Sequence, residues 1–330
     1  MKRIIACDLF TNLNLYRIPS ELLTELKSKF PEFEVIPVNC PGYSRTIEEA
    51  EVFWGNRLKA EMLPEFPNLK WIHFGSIGIS DIRSSEAKER RILVTNSKGT
   101  SEKAVALTAL GFLLGLTRGL KVSSELSAQS KFSRESFDDY FGNISDFSEF
   151  YNVLILGYGE IGRIFGSYLT CFGIQYDVVV ADKKRKRYGG YKATYELQDL
   201  DEIVGQYDAI VNILPLTDLT KGIFNSSKFD RMKAKSFFIN VGRGETVIED
   251  DLIRAIIEKK ISGAGLDVFQ KEPLDNSSPL HKLSNVIITP HIGAMSRSYW
   301  NKEFSLFSEN LELFMSNKKM KNIIDLNKGY

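Results

Sequence analysis

Short apolar runs alternate with stretches of helical period along most of the chain. In its N-terminal third, "RIIACDLF", "FEVIPVN", "AEVFWGN", "LKWIHFGS" and "ILVTNS" read as five strands. Apolar runs without polar alternation suit strands buried on both faces, as in a parallel sheet covered by helices. They predict a first α/β domain that closes near Ser97. The stretch "TSEKAVALTALGFLLGLTRGLKVSSEL" then places small and apolar residues at helical spacing over many turns, and predicts one long buried helix bridging two domains. The segment from Ser127 to Tyr151 is polar, has no clear period and reads as a loop with one short helix. After it, "NVLILG", "DVVVAD", "DAIVNIL", "SFFINVG", "SGAGLDV" and "NVIITP" recur as buried strands at helix-sized intervals, which predicts a second doubly wound domain. From Ser296 onward "FSLFSENLELF" has helical spacing, and a helix placed there can fold back over the first domain.

Composition narrows the partners. With 330 residues and 43% hydrophobic content the chain is long enough for two cores. Lys and Arg total 43 against 42 Asp and Glu, a net charge of +1, which supplies no global field to recruit nucleic acid or an anionic membrane. A small-molecule partner fits better. Cys7, Cys40 and Cys171 are far apart and form no disulfide or zinc spacing, so buried inert thiols and no metal are expected. Asp8 interrupts the N-terminal apolar run too early for a signal-peptide core, and no window approaches the roughly 18 apolar residues of a membrane span. A cytoplasmic location is expected.

The candidate chemistry starts at "NVLILGYGEIGR", where a strand feeds into Gly157, Gly159 and Gly162. Glycines at this spacing permit a tight turn, close approach of backbone to a pyrophosphate, and close packing of the following helix, whose N-terminal N–H groups face the anion. A glycine-rich turn without a ligand is the plain alternative, but the strand before it and the helix after it favour a dinucleotide. Asp182 follows Gly162 by 182 − 162 = 20 residues, where a carboxylate takes the adenosine ribose hydroxyls. "KKRKR", Lys183 to Arg187, comes directly after it. A carboxylate repels a 2′-phosphate and a basic side chain attracts one, so NAD is expected first and NADP stays open.

Three further constellations end strands in the second half. Arg243 in "FFINVGRGE" sits between two glycines at a sheet edge, where a planar guanidinium can grip a carboxylate or polarise a ketone. Asp267 and Glu272 lie in "GAGLDVFQKEP". His291, in "IITPHIGAMS", follows a strand and a proline. His73 and His281 are the other histidines, and a lone histidine is usually structural. His291 differs because it shares a domain and a strand edge with Arg243 and Glu272. Imidazole suits proton transfer near neutral pH, and an adjacent carboxylate favours its protonated, acid form.

"GYGEIGR", "LPLTDLTKGIFN", "FFINVGRGE", "GAGLDVFQKEP" and "IITPHIGA" occur in the order and at the spacing of one family. Through these motifs nearly the whole chain resembles the D-isomer-specific 2-hydroxyacid dehydrogenases. The resemblance implies an α/β architecture of two doubly wound parallel-sheet domains. A Rossmann-type dinucleotide-binding domain, 99–295, is inserted into a flavodoxin-like substrate domain made of 1–98 and 296–330. It further implies that Arg243 binds the substrate, that His291 is the acid/base and that Glu272 orients it. Gly157, Gly159, Glu160, Ile161, Gly162, Asp182, Pro215, Thr220, Val241, Gly242, Asp267 and Gly293 fall at positions of the cofactor site, with Asp267 facing the nicotinamide carboxamide. Ser76, Ile77 and Gly78 in "FGSIGIS" match the loop whose amides hold the substrate carboxylate, and members usually form homodimers through the cofactor domain.

Some positions depart from the pattern. Leu107 stands where relatives place an acidic residue, "DFSEFYNVLILG" lacks a common Gly-Lys, and Asp182 lies further from Gly162 than usual. The expected activity is hydride transfer between NAD(P) and a small 2-oxo or D-2-hydroxy acid. A nicotinamide-sensing scaffold or co-repressor-like binding protein of the same fold is the second reading. A formate-dehydrogenase-like enzyme would carry glutamine where Glu272 stands. Trp54, Phe74 and Trp300 are large enough to line a substrate pocket, but their type favours the core. Glyoxylate, hydroxypyruvate, a phosphoglycerate and larger acids all stay open as substrates.

Overall fold

The computed structural model describes residues 2–10, 16–38, 47–79, 82, 85–145, 151–180 and 190–326. The chain divides into two compact units, Met1–Ser101 with Met295–Tyr330, and Glu102–Ala294. Each is a parallel α/β unit.

The first unit contains β1 (Arg3–Cys7), β2 (Phe33–Pro37), β3 (Ala50–Gly55), β4 (Trp71–Phe74) and β5 (Leu93–Asn96), in the order β2-β1-β3-β4-β5. Every pairing is parallel, the flavodoxin-like order. Alternation along the strands feeds two cores. Ile4, Ala6, Phe53, Ile72 and Phe74 enter one, whereas Ile5, Cys7, Trp54 and Trp71 enter the other. Helix Tyr299–Met315 closes the second core with Trp300, Phe304, Phe307 and Leu311, spaced along one helical face. Trp54 stacks on Phe307 with ring centroids 3.9 Å apart. Burying a side chain of this size stabilises the unit by roughly 1.5–3 kcal/mol. Trp54, Phe74 and Trp300 are therefore core residues.

The second unit holds β6 (Asn152–Leu156), β7 (Gln175–Val179), β8 (Thr194–Tyr195), β9 (Ala209–Asn212), β10 (Phe237–Asn240), β11 (Gly263–Leu266) and β12 (Val286–Ile288). Their order, β12-β11-β10-β9-β6-β7-β8, is the doubly wound Rossmann pattern with one strand added, again all parallel. Val153 and Ile155 face helices Glu102–Thr117 and Glu160–Cys171, while Leu154 and Leu156 face the core on the opposite side. The two-residue β8 carries too little apolar pattern to announce itself in sequence.

The long helix expected between Thr100 and Leu126 is two helices, Glu102–Thr117 and Leu120–Ala128, bent by 70°. Gly119, in the left-handed region at φ 64°, makes the break. Only the first is buried, and it starts the second unit; the second helix buries none of its residues. The close seat of Glu102–Thr117 explains one glycine: a Cβ on Gly265 of β11 would lie 2.6 Å from the Phe112 Cβ. The short helix expected after Ser127 is Glu135–Gly142. Among the described residues no single helix is long and apolar enough to cross a membrane, although the bent pair passes on length and composition. Cys7 is buried, and burial raises its thiol pKa. Cys171, expected inside, is exposed at the end of its helix, because the apolar stripe of that helix runs through Phe165 and Leu169 instead. Cys40 lies outside the described residues.

Candidate active site

Strand register brings the motifs to one edge of the second sheet. Leu156, Asn212, Asn240, Leu266 and Ile288 form one continuous row across β6, β9, β10, β11 and β12. Gly157, Ile213, Val241, Asp267 and Thr289 each follow this row directly. The switch point, where chain direction across the sheet reverses, lies between β6 and β9, the place such folds use for ligands.

The glycine turn is built for close approach. Gly157 has φ 95°, open in practice only to glycine, and a Cβ on it would lie 3.0 Å from the Ile213 carbonyl oxygen. A Cβ on Gly162 would sit 2.3 Å from the Gly157 carbonyl oxygen, so the helix Glu160–Cys171 starts tight against the turn. By contrast, nothing lies within 4 Å of the point where a Gly159 Cβ would be, which leaves room above the helix N-terminus. Crowding below and space above fit a dinucleotide pyrophosphate held by helix N–H groups. Gly162→Ala is expected to displace the turn and weaken NAD(P)H affinity at least about tenfold, read by fluorescence titration of the nucleotide.

Opposite the turn, Gly242 passes close under Leu214: a Cβ there would be 2.7 Å from the Leu214 carbonyl oxygen. Thr220 pins the Pro215 loop, donating its hydroxyl to the Pro215 carbonyl at 2.6 Å and accepting the Thr217 amide at 2.8 Å. The side chains of Ile161 and Val241 pack into or against the core, so these two positions offer backbone to a ligand. Glu160 is exposed and pairs with Arg163. Asp182 and Lys183 to Arg187 lie outside the described residues.

Arg243 leaves β10 in extended conformation. Below it lies a polar network that motif reasoning missed. The Asn212 side-chain amide donates to Asn240 Oδ1 at 3.1 Å and to the Thr246 hydroxyl at 2.7 Å. Thr246 in turn donates to the Arg243 carbonyl at 2.6 Å, and Asn240 Oδ1 accepts the Gly242 amide at 3.1 Å. All three side chains are buried, so their mutual satisfaction fixes the two loops against each other. The signal available was the Asn that closes each of "AIVN" and "FFIN". The Arg243 guanidinium donates to the Gly242 carbonyl at 2.7 Å. Burial lowers its pKa, against the opposing pull of Glu245 and Glu272.

Asp267 works as a clamp. Its Oδ1 accepts the Thr289 hydroxyl at 2.6 Å and the Ile292 amide at 2.9 Å, and its Oδ2 accepts the Gly293 amide at 2.8 Å. Three bonds from one buried carboxylate hold the loop that carries His291. Within that loop His291 has φ 53°, a left-handed conformation uncommon for a residue with a side chain. Its Nδ1 meets Glu272 Oε2 at 2.7 Å, and Glu272 Oε1 accepts the Phe269 amide at 3.0 Å. Burial pushes the Glu272 carboxyl up, but the His291 bond, the Phe269 amide and the charges of His291 and Arg243 outweigh it, and its pKa is lowered. The pair stays accessible, with 47% of the His291 and 35% of the Glu272 side chain exposed.

In the first unit, the loop after β4 is held from several sides. Ser76 donates its hydroxyl to the Gly78 carbonyl at 2.5 Å, and the Asn96 side-chain amide donates to the Ile77 carbonyl at 2.6 Å. The Ser97 amide donates to the Ser76 carbonyl at 3.1 Å.

A nucleotide cradle, a half-buried arginine and a paired imidazole on one sheet edge define the class of nicotinamide-dependent oxidoreductases. Residues 110–293 match the model of the D-isomer specific 2-hydroxyacid dehydrogenase NAD binding domain, more than half of the chain. A glyoxylate/hydroxypyruvate reductase B of Escherichia coli K12 is 29% identical over 286 residues, covering 85% of this chain and 87% of that protein. The crystal structure of a D-isomer specific 2-hydroxyacid dehydrogenase family protein from Aeromonas salmonicida superposes with TM-score 0.82 at 26% identity, covering 99% of this chain and 100% of that one. A probable 2-hydroxyacid dehydrogenase from Rhizobium etli, in complex with NADP, HEPES and L(+)-tartaric acid, gives TM-score 0.78 at 26% identity, covering 100% and 99%. The chain belongs to the D-isomer-specific 2-hydroxyacid dehydrogenase family. It is an NAD(P)-dependent enzyme that moves a hydride between nicotinamide and a 2-oxo or 2-hydroxy acid.

Proposed function

We propose that the enzyme reduces a small 2-oxo acid such as glyoxylate or hydroxypyruvate to the corresponding 2-hydroxy acid, the D isomer where the new carbinol carbon is stereogenic, with His291, Glu272 and Arg243 as its catalytic group. The carrying observation is the 2.7 Å contact from His291 Nδ1 to Glu272, on the sheet edge that also presents Arg243. Bound reduced nicotinamide supplies the hydride. Glu272 fixes one imidazole nitrogen, so His291 delivers its proton to the substrate oxygen from the other, Nε2. Arg243 stabilises the negative charge that develops on that oxygen and neutralises the adjacent carboxylate. The amides of Ser76, Ile77 and Gly78 hold the carboxylate. Asp267, Gly293, Val241 and Gly242 form the nicotinamide side of the site, and Gly157 to Gly162 with Pro215 and Thr220 the pyrophosphate side. Unit 102–294 is thus the cofactor domain and the remainder the substrate domain.

The similarity to the E. coli reductase supports glyoxylate and hydroxypyruvate as first substrates. Asp182 keeps NAD as the first cofactor, and the Lys183–Arg187 run supports NADP. The test mixes purified protein with NADH or NADPH and a panel of 2-oxo acids and follows nicotinamide absorbance. Turnover with glyoxylate or hydroxypyruvate is expected, and the two kcat/KM values rank the cofactors. If no 2-oxo acid oxidises either cofactor, the reading fails, and nucleotide-dependent binding of a protein partner would favour the scaffold instead.

The same reading includes a cytoplasmic homodimer whose partner molecules are small acids, not nucleic acid or membrane. Leu107, Leu120, Phe132 and Phe141 expose apolar surface on the helices that open the second unit and the segment following them, which suits a subunit interface. Light scattering on the purified protein checks the dimer.

The lowered Glu272 pKa sets a pH dependence. A carboxylate whose folded pKa is depressed contributes stability above its unfolded value, near 4.5, and loses it as pH falls through the lower folded value. Glu272→Gln is therefore expected to flatten the acid side of the Tm-versus-pH curve as pH falls from 4.5. An acid limb identical to the parent's would contradict the pairing.

A further inference from the structure

We propose that Tyr299 and Glu303, on the last helix, are positioning residues for the substrate carboxylate, acting through the backbone from Gly75 to Gly78. This rests on the role proposed above for Ser76 to Gly78. Tyr299 donates its hydroxyl to the Gly75 carbonyl, at the entry to that loop. Gly75 is pressed against polar atoms: its Cβ would lie 3.1 Å from the Tyr299 hydroxyl and 3.5 Å from both Asn56 Oδ1 and Glu303 Oε1.

Glu303 is fully buried and receives the Trp54 indole N–H at 2.9 Å on Oε1. The same oxygen lies 3.2 Å from His73 Nε2. On the other side of the ring, His73 Nδ1 meets the Thr95 hydroxyl at 2.7 Å, and Thr95 also accepts the Trp71 indole N–H at 2.9 Å. One proton arrangement satisfies the whole chain: Trp71 donates to Thr95, Thr95 to His73 Nδ1, and His73 Nε2–H to Glu303. This wire joins β5, β4, β3 and the last helix directly beneath the loop. His73 stands two residues before Gly75, Ser97 donates to the Phe74 carbonyl at 2.7 Å, and Asn96 holds the Ile77 carbonyl.

Packing alone does not account for this arrangement. Among the described residues Glu303 Oε2 is buried without a hydrogen-bond partner, and an aromatic core stabilised only by contact would be better served by an apolar residue. What the polar groups do specify is the path of four backbone residues whose amides must point at an anion. Geometry, not charge, is then the contribution of Glu303.

Steady-state kinetics on the full-length enzyme test it. Tyr299→Phe is expected to raise KM for the 2-oxo acid about tenfold, leaving kcat and the cofactor KM within about twofold, the pattern of lost uniform binding. Because the loop reads the carboxylate, the variant should also narrow the preference for a 2-oxo acid over the corresponding 2-oxo amide, which a generally loosened fold would not do. Glu303→Gln, which keeps the acceptor for Trp54 and His73, should retain the parent's substrate KM, whereas Glu303→Leu should raise it. If Tyr299→Phe does not fold, Asn96→Ala carries the same expectation. A folded Tyr299→Phe or Asn96→Ala protein with unchanged substrate KM and unchanged acid-over-amide preference overturns this inference while wild-type turnover leaves the proposed function standing. Absence of wild-type turnover overturns both.

Discussion

His291→Ala should lower kcat for 2-oxo acid reduction by about 10²- to 10⁴-fold, the usual contribution of a positioned general acid. The argument is geometric. Asp267 holds the Thr289–Gly293 segment with three hydrogen bonds, from the Thr289 hydroxyl and the Ile292 and Gly293 amides, and Glu272 holds Nδ1 of the ring, so the imidazole is presented in one orientation. The three Asp267 bonds survive the substitution, and the variant should fold and bind NAD(P)H as the parent does. Stopped-flow or steady-state rates, with nucleotide affinity measured in parallel, separate lost chemistry from lost binding. A folded His291→Ala protein that turns over like the parent would remove the assignment.

Arg243→Ala should cost roughly 3–4 kcal/mol of transition-state stabilisation. At about 1.4 kcal/mol per tenfold, that is two to three decades in kcat/KM. The guanidinium is partly withdrawn from water and tied to the Gly242 carbonyl, so it is already oriented when charge develops on the substrate oxygen. Arg243→Lys should recover only a small part, because an ammonium lacks the planar pair of donors that addresses carbonyl and carboxylate together. Equal kcat/KM in the lysine variant would show that a point charge suffices and that the paired-donor role is wrong.

Much of the fold was legible because both sheets are covered on two faces, which writes each central strand as an uninterrupted apolar run. The failures occurred where that condition lapses. Thr194–Tyr195 is too short and only half-buried, so it does not carry the pattern, and Gly119 breaks an apolar helix without breaking its periodicity. The meeting of His291 with Glu272 and the place of Arg243 on the same sheet edge were legible, because each motif directly follows an apolar strand. Asn212, Asn240 and Thr246 were not, because a buried amide network exists only once three separate strands and loops are brought together. His73 looked like an ordinary core histidine for the same reason: Glu303 lies 230 residues away (303 − 73) and meets it only through the returning helix. Asp182 and Lys183 to Arg187, on which the expectation of NAD or NADP rests, lie outside the described residues.

The left-handed backbone at His291 has a consequence for how this protein balances robustness against turnover. A side chain at φ 53° carries a conformational penalty of about 1–2 kcal/mol that glycine does not. His291→Gly should therefore give an inactive protein that melts at least as high as His291→Ala. Glycine would relax this backbone only by giving up the imidazole that the proposed reaction needs.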